Sequence, residues 1–368
     1  MARSEVIGNR QLAEILFMMR TTVVLSFVPA ITTGAARQDA WAAALFSGMM
    51  LTGIAWAIST LGSAYPHLTV VEYSRRLLGT LVGTAVSLVF AYLYLLVAAT
   101  DTRVFSELVK TAFMTRTPIV VVMSATIATF TLIALLGIEV VARVADMFIP
   151  LFVAFVVLTL IGAVGHFRLQ NLQPVLASGI RPVISSSWTI MGIGAQWAVI
   201  SMLVPSLTEP ERVASSTVVT AVLASLVSAV TAAAVVGVLG DELARESLFP
   251  FLKMARSIQI SPVLQRIESL GVSAWGFGLA VTGSTMVYCG SRALTQILGI
   301  KDYRWVVPVF GVAVGFYARL AYRDVSAVIE FFRPPRFPIF IAALVGVPYL
   351  LLWGAHLVAR ARAGATRR

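Results

Sequence analysis

The stretch Trp188-Thr189-Ile190-Met191-Gly192-Ile193-Gly194-Ala195-Gln196-Trp197 opens an apolar run that continues to Val204, and its reading decides the fold. A run this apolar belongs in a membrane, yet it carries two glycines and a glutamine near its middle. Backbone polar groups in lipid must be satisfied internally, so an interruption is tolerated only where it is buried in protein or lines a cavity. A second interruption, Met19-Arg20-Thr21-Thr22, lies in a run that continues to Pro29. The two occupy the first and the sixth of about ten apolar stretches. They therefore stand at corresponding places in two halves of five. Paired interruptions of this kind point to a small-molecule site near the bilayer midplane.

Composition agrees. Of 368 residues, 58% are hydrophobic and only 12% charged, against about 25% charged in soluble domains. The runs are long and continuous, which argues against a β-barrel. We read spans at Leu12–Gly34, Ala40–Ala64, Leu78–Thr100, Pro118–Ile138, Val144–Gly165, Val183–Ser206, Val213–Gly240, Ser269–Gly290, Trp305–Tyr322 and Phe337–Val358. The fold class is an all-α polytopic membrane protein of about ten transmembrane helices in a single domain over 1–368. Its two repeats cover about 11–166 and 182–359. The longest connection, Asp241 to Glu268, has amphipathic stretches around Phe249-Pro250-Phe251-Leu252 and Val263-Leu264-Gln265-Arg266, where we expect one or two short helices. No cleavable signal segment is visible.

The net charge of +11 comes from basic residues concentrated at span ends, such as Arg75-Arg76 and Arg360 to Arg368. These read as headgroup contact and topology signals in a lipid bilayer, with no nucleic acid partner. Lys and Arg are nearly balanced between the two sides, so they do not fix the orientation. Cys289 is the only cysteine and His67, His166 and His356 are scattered, so neither a metal site nor a cofactor is expected. No nucleophile-and-base pair or phosphate loop is present, and enzyme activity is not expected.

The candidate ligand-binding residues follow from the interruptions. An Arg at a helix centre costs about 2.5–3.5 kcal/mol on insertion scales. Arg20 is either a cationic group facing a cavity, or it snorkels to an interface or pairs with Glu14 or Glu139. Thr21 and Thr22 offer hydroxyls to a small zwitterion. Gly192 and Gly194 would let the sixth helix unwind and expose backbone groups, or serve close helix packing. Gln196 follows them directly. Tyr92, Tyr94 and Tyr288 lie within spans, where each buried hydroxyl needs a partner, be it ligand or protein. Thr282, Ser284 and Thr285 are weak Na⁺ candidates that could equally bond back to their own helix. Asp101, Arg103 and Glu107 read as an interfacial charge set at the end of the third span, and Glu139, Arg143 and Asp146 as another. On that reading no acidic residue lies at a span centre, which argues against proton coupling.

Several segments, taken in order, resemble the spore germination permease family, the B subunits of GerA-type germinant receptors, within the amino acid–polyamine–organocation superfamily. They include Ile7-Gly8-Asn9-Arg10-Gln11-Leu12, Gln38-Asp39-Ala40-Trp41, Tyr65-Pro66-His67-Leu68-Thr69-Val70-Val71-Glu72-Tyr73, Gly137-Ile138-Glu139-Val140-Val141-Ala142-Arg143, Asn171-Leu172-Gln173-Pro174-Val175-Leu176 and Gly299-Ile300-Lys301-Asp302-Tyr303-Arg304. The resemblance implies a LeuT-like fold of two inverted five-helix repeats with broken helices 1 and 6. It implies cytoplasmic termini in the spore inner membrane and a site that senses a small germinant such as an amino acid. It implies an A-type germinant receptor subunit and a lipoprotein C subunit as partners. Two alternatives remain beside germinant sensing: a functional secondary amino-acid transporter, Na⁺-coupled through the eighth span, or a channel for ions or small solutes. The chain departs from the family at both interruptions. Relatives usually carry Gly where this chain reads Met19-Arg20-Thr21-Thr22, and often an acidic residue near Gln196 and Trp197.

Overall fold

The computed structural model describes residues 5–26, 35–247, 249–257 and 267–365. Ten helical segments appear where the apolar runs place them. They are α1 (Asn9–Ser26), α2 (Ala40–Ser63), α3 (Val70–Ala112), α4 (Ile119–Leu135), α5 (Ile138–Ala163), α6 (Ile180–Ile193), α7 (Val213–Leu239), α8 (Ile267–Leu298), α9 (Val306–Ala321) and α10 (Val347–Ala365). The last follows a helical turn, Arg336–Ile341, and a π-helical turn, Ala342–Gly346. Among the described residues, seven helices suffice by length and composition to cross a membrane, while Ile119–Leu135 is apolar but shorter. The second half of the first span lies outside the described residues.

Packing follows the halves. α2 lies along α7, α3 along α8 and α4 along α9, so three helices meet their counterparts five places on. α1 packs on α7, α8 and α5 and touches the segment after α6. Small residues permit the close approaches. Gly48 of α2 faces Ser225 of α7, Gly278 of α8 faces Thr22, and Gly283 faces Phe130 of α4. In lipid, where no hydrophobic force draws helices together, such fits and interhelical hydrogen bonds supply the adhesion.

The third helix differs most from its expected limits. It starts at Val70 because Thr69 and Glu72 form a capping box, the Glu72 carboxylate accepting from the Thr69 N–H at 2.8 Å. Gly79 then turns with φ 78°, a conformation open to glycine, and kinks the helix. Arg75 is tolerated before the kink because its guanidinium donates to the carbonyls of Gln296 and Ile297, both at 3.1 Å, at the end of α8. The helix then runs past Thr100 to Ala112, so Asp101 lies inside it rather than beyond it.

In the long connection, Asp241–Glu246 and Pro250–Ser257 form helices, the second burying Phe251, Met254 and Ala255. The other amphipathic stretch, at Val263 to Arg266, lies outside the described residues. Between α9 and α10 a further short helix, Val325–Phe331, appears where the sequence reads as a simple connection.

Candidate ligand-binding site

The sixth span is interrupted as its glycines suggest. α6 ends at Ile193, Gly194–Val199 is a 3₁₀ segment, and one α-helical turn, Ile200–Leu203, resumes the path. The environment permits this. Within its most apolar window 89% of the sixth span is buried in protein, against 28% for Ile138–His166. Irregular backbone at membrane depth needs such enclosure.

Side chains of other helices supply donors to two carbonyls of this stretch. The Gly194 N–H bonds to Met191 and Gly192 rather than to Ile190. The freed Ile190 carbonyl accepts from Arg20 Nη1 at 3.0 Å, while Arg20 Nη2 donates to Ser47 Oγ of α2 at 3.1 Å. The Ala198 carbonyl accepts from the Tyr94 hydroxyl at 3.2 Å. In the reverse direction, Gln196 Nε2 donates to the Met19 carbonyl at 2.9 Å. α1 and the interruption in the sixth span thus hold each other through side chain-to-backbone bonds. At the far end of the same span, the Ile7 N–H donates to Ser206 O at 2.8 Å and the Thr208 N–H to Ile7 O at 3.0 Å.

Arg20 corrects one expectation. It neither snorkels nor pairs with an acid. Its exposure is 0%. Glu14 engages Arg10 and Asp146, and Glu139 engages Arg143 and the Val6 N–H. Arg20 Nε has no partner among the described residues, and neither does the nearby indole N–H of Trp197. A second correction concerns the first interruption. α1 is continuously helical through Met19-Arg20-Thr21-Thr22 to Ser26. Thr21 bonds back to Phe17 O, and Thr22 turns toward Gly278 of α8 with its hydroxyl unpartnered. Of the polar residues expected to mark a break, Arg20 instead supports the break in the other helix.

Of the nominated residues, Arg20, Tyr94, Gly192, Gly194 and Gln196 converge. Tyr92 and Tyr288 do not. Residues two apart on a helix face nearly opposite ways, so Tyr92 points from α3 to α9, where its hydroxyl meets that of Tyr317 at 2.7 Å. Tyr288 joins a cluster at the N-terminal end of the bundle. Its hydroxyl donates to Glu5 Oε2 at 2.8 Å and accepts from Arg292 at 2.8 Å. Tyr303 donates to Glu5 Oε1 at 2.7 Å, the Ile138 N–H to Oε2 at 3.2 Å, and Arg304 lies 3.6 Å from Oε1. Glu5 thereby ties the segment before α1 to α5, α8 and the approach to α9, and closes that end. Among the weak Na⁺ candidates, Thr282 and Thr285 donate to Gly278 O and Val281 O of their own helix, leaving Ser284 unpartnered.

Two hollows flank the interruption. One, of about 360 Å³, is an apolar groove between α2, α6 and α10, reached from the outer face past Trp188 and Leu350. In a membrane this face meets lipid. The other, of about 40 Å³, lies on the Gly192 and Gln196 side, bounded by Val23, Thr100 and Asp101 and covered by Phe331, Phe332 and Phe337. A Cβ at Gly192 would lie 2.8 Å from the Phe337 ring, whereas one at Gly194 would meet Leu51 at 2.8 Å on the other side. The phenylalanines and Asp101 were not nominated from sequence. The expected interfacial charge set reduces to the Arg103–Glu107 pair, 3.2 Å apart, and Asp101 is turned inward with 6% exposure. The argument that the spans lack a buried acid therefore falls.

A bundle of ten helical segments, three of them packed on their counterparts in the other half, with a buried interruption beside a small hollow, has the architecture of the LeuT-like fold. Its structural neighbours agree. The nucleobase-cation-symport-1 family transporter Mhp1, closed with bromovinylhydantoin bound, superposes with a TM-score of 0.71 over 98% of this chain and 80% of its own, at 15% identity. MhsT in complex with L-phenylalanine gives 0.65 over 97% and 99%, at 11% identity. The family model described as "Spore germination protein" matches residues 7–328, and the chain belongs to this spore germination permease family. Relatives in Bacillus subtilis (strain 168) include spore germination protein KB, 30% identical over 69% of each chain. Another is spore germination protein YndE, 26% identical over 78% of this chain and 79% of its own.

Proposed function

We propose that this protein is the ligand-sensing, transporter-fold subunit of a spore germinant receptor, acting with an A-type subunit and a lipoprotein C subunit in the spore inner membrane. On this reading both termini are cytoplasmic. A small amino-acid-like germinant binds between α1 and the interruption in the sixth span, beside Gly192 and Gln196, with only part of it entering the small hollow there. The observation that carries the reading is Arg20, a fully buried cation with no acidic partner among the described residues, fixed against the very backbone that unwinds. Binding can favour a second arrangement of the helices only if the ligand has different affinity for the two. The N-terminal latch at Glu5 and the phenylalanine cover on the opposite side are the two closures such a change would act on.

Transport by the same chain is the second reading. Asp101, a buried carboxylate inside α3, favours it, because a transporter coupled to protons uses a titratable group at this depth. Sodium coupling gains less support, since two of the three eighth-span hydroxyls are bound to their own helix. The separating experiment uses Gly192→Leu, which fills the hollow. A sensor loses its germination response in a spore carrying this substitution at normal protein level, while wild-type proteoliposomes show no concentrative amino-acid uptake. Uptake against a gradient by the purified chain alone would overturn the sensor reading. A normal response in Gly192→Leu spores would remove the site.

A further inference from the structure

Asp101 is 94% buried, at 6% exposure, and has neither a hydrogen bond nor an ion pair among the described residues. Two neighbouring polar side chains bond elsewhere, although Arg103 Nε itself has no partner among the described residues. Arg103 is drawn to Glu107 and to the Arg323 carbonyl at 3.0 Å. The Thr100 hydroxyl meets Leu96 O at 2.8 Å and the Tyr322 hydroxyl at 2.7 Å. Asp101 lines the hollow of about 40 Å³ whose remaining wall includes Gln196, Phe331, Phe332 and Phe337.

A carboxylate without a partner costs several kcal/mol to bury, and a cation brought beside it offsets much of that cost. Phenylalanine rings around the same space are themselves attractive to a cation, as in sites that recognise ammonium groups. The size limits the occupant. A water needs about 10–15 Å³ by this measure, so the hollow takes a few water-sized bodies and not a whole amino acid. An anion is disfavoured beside Asp101. Arg20, the unpaired cation at the same interruption, does not lie within 4.0 Å of it.

We propose that the hollow beside Asp101 is an ammonium subsite. The carboxylate of Asp101 and the three phenylalanines hold the protonated amine of the ligand. This rests on the reading of the interruption as the ligand site and adds to it the side chains that receive the amine.

The test uses the full chain purified in lipid nanodiscs. Its melting temperature is followed during titration with methylammonium chloride, and with tetramethylammonium chloride and sodium chloride at equal ionic strength. Methylammonium is expected to raise the melting temperature saturably, and the two larger or harder cations are not. Asp101→Asn, nearly identical in shape, is expected to weaken the apparent affinity by about tenfold or more, the loss of one charge-assisted contact. Phe337→Leu, which keeps the carboxylate, is expected to weaken it by about threefold. An equal response to sodium, or Asp101→Asn matching the wild type, would overturn the proposal. If Asp101→Asn does not fold, Phe337→Leu matching the wild type does the same. If Gly192→Leu abolishes the response to an amino acid while Asp101→Asn keeps the methylammonium response, the subsite fails and the ligand site stands.

Discussion

Replacing Glu5 with alanine should open the N-terminal end of the bundle. The Glu5 carboxylate accepts from Tyr288, Tyr303 and the Ile138 N–H at 2.8, 2.7 and 3.2 Å, with Arg304 at 3.6 Å. Hydrogen bonds to a charged group contribute about 1.5–3 kcal/mol each. The Glu5 side chain is 14% exposed, so water replaces part of what is lost, while the buried Tyr288 hydroxyl keeps Arg292. A net loss of about 3 kcal/mol from the closed arrangement is a reasonable sum, which is about a hundredfold in the closed-to-open ratio. The chain carries its own reporter. Cys289, its only cysteine, is fully buried in α8 next to Tyr288. When labelling requires transient opening, its rate follows the open population. N-ethylmaleimide labelling of purified Glu5→Ala, read by mass spectrometry, should run about a hundredfold faster than wild type. Glu5→Gln, keeping one acceptor, should fall between them. A rate within threefold of wild type, in protein that stays monodisperse, would refute the latch.

Other expectations follow from the same contacts. Arg20→Lys keeps the charge but loses the fork that reaches both Ile190 O and Ser47. It should lower the melting temperature, by about 1–3 kcal/mol of unsatisfied carbonyl, and Arg20→Gln should recover part of the loss in a thermal unfolding assay. Thr69→Ala removes the capping box at the start of α3 and its hydrogen bond to Gln296. About 1–2 kcal/mol of stability should go with it, measurable as a lower denaturation midpoint with ligand response retained. Gly79→Ala places a side chain at φ 78° and should cost about 1–2 kcal/mol by the same assay.

Sequence resolved the helices and the sixth-span interruption because both are written in local composition: long apolar runs, and Gly192 and Gly194 within one of them. It misplaced the first interruption for a related reason. Arg20, Thr21 and Thr22 look disruptive in a one-dimensional hydropathy profile, but a helix tolerates them once another segment supplies carbonyls and small residues opposite. Asp101 escapes the sequence reading because Thr100-Asp101-Thr102-Arg103 reads as the polar end of a span, whereas the helix continues and all four residues are buried. Phe331, Phe332 and Phe337 come from the connection before α10, and nothing local says that the connection folds over a hollow. Tyr92 and Tyr94 were grouped by proximity in sequence, which helical periodicity overrules. Tyr288 depends on a partner, Glu5, almost the whole chain away.

The sensor reading stands on a small ligand bound beside the interruption in the sixth span. Equilibrium binding of labelled L-alanine and related amino acids to the nanodisc-embedded full chain, wild type against Gly192→Leu, tests it directly. The account predicts saturable binding of at least one amino acid to the wild type and loss of that binding in Gly192→Leu. Saturable binding of equal affinity in both proteins would contradict it.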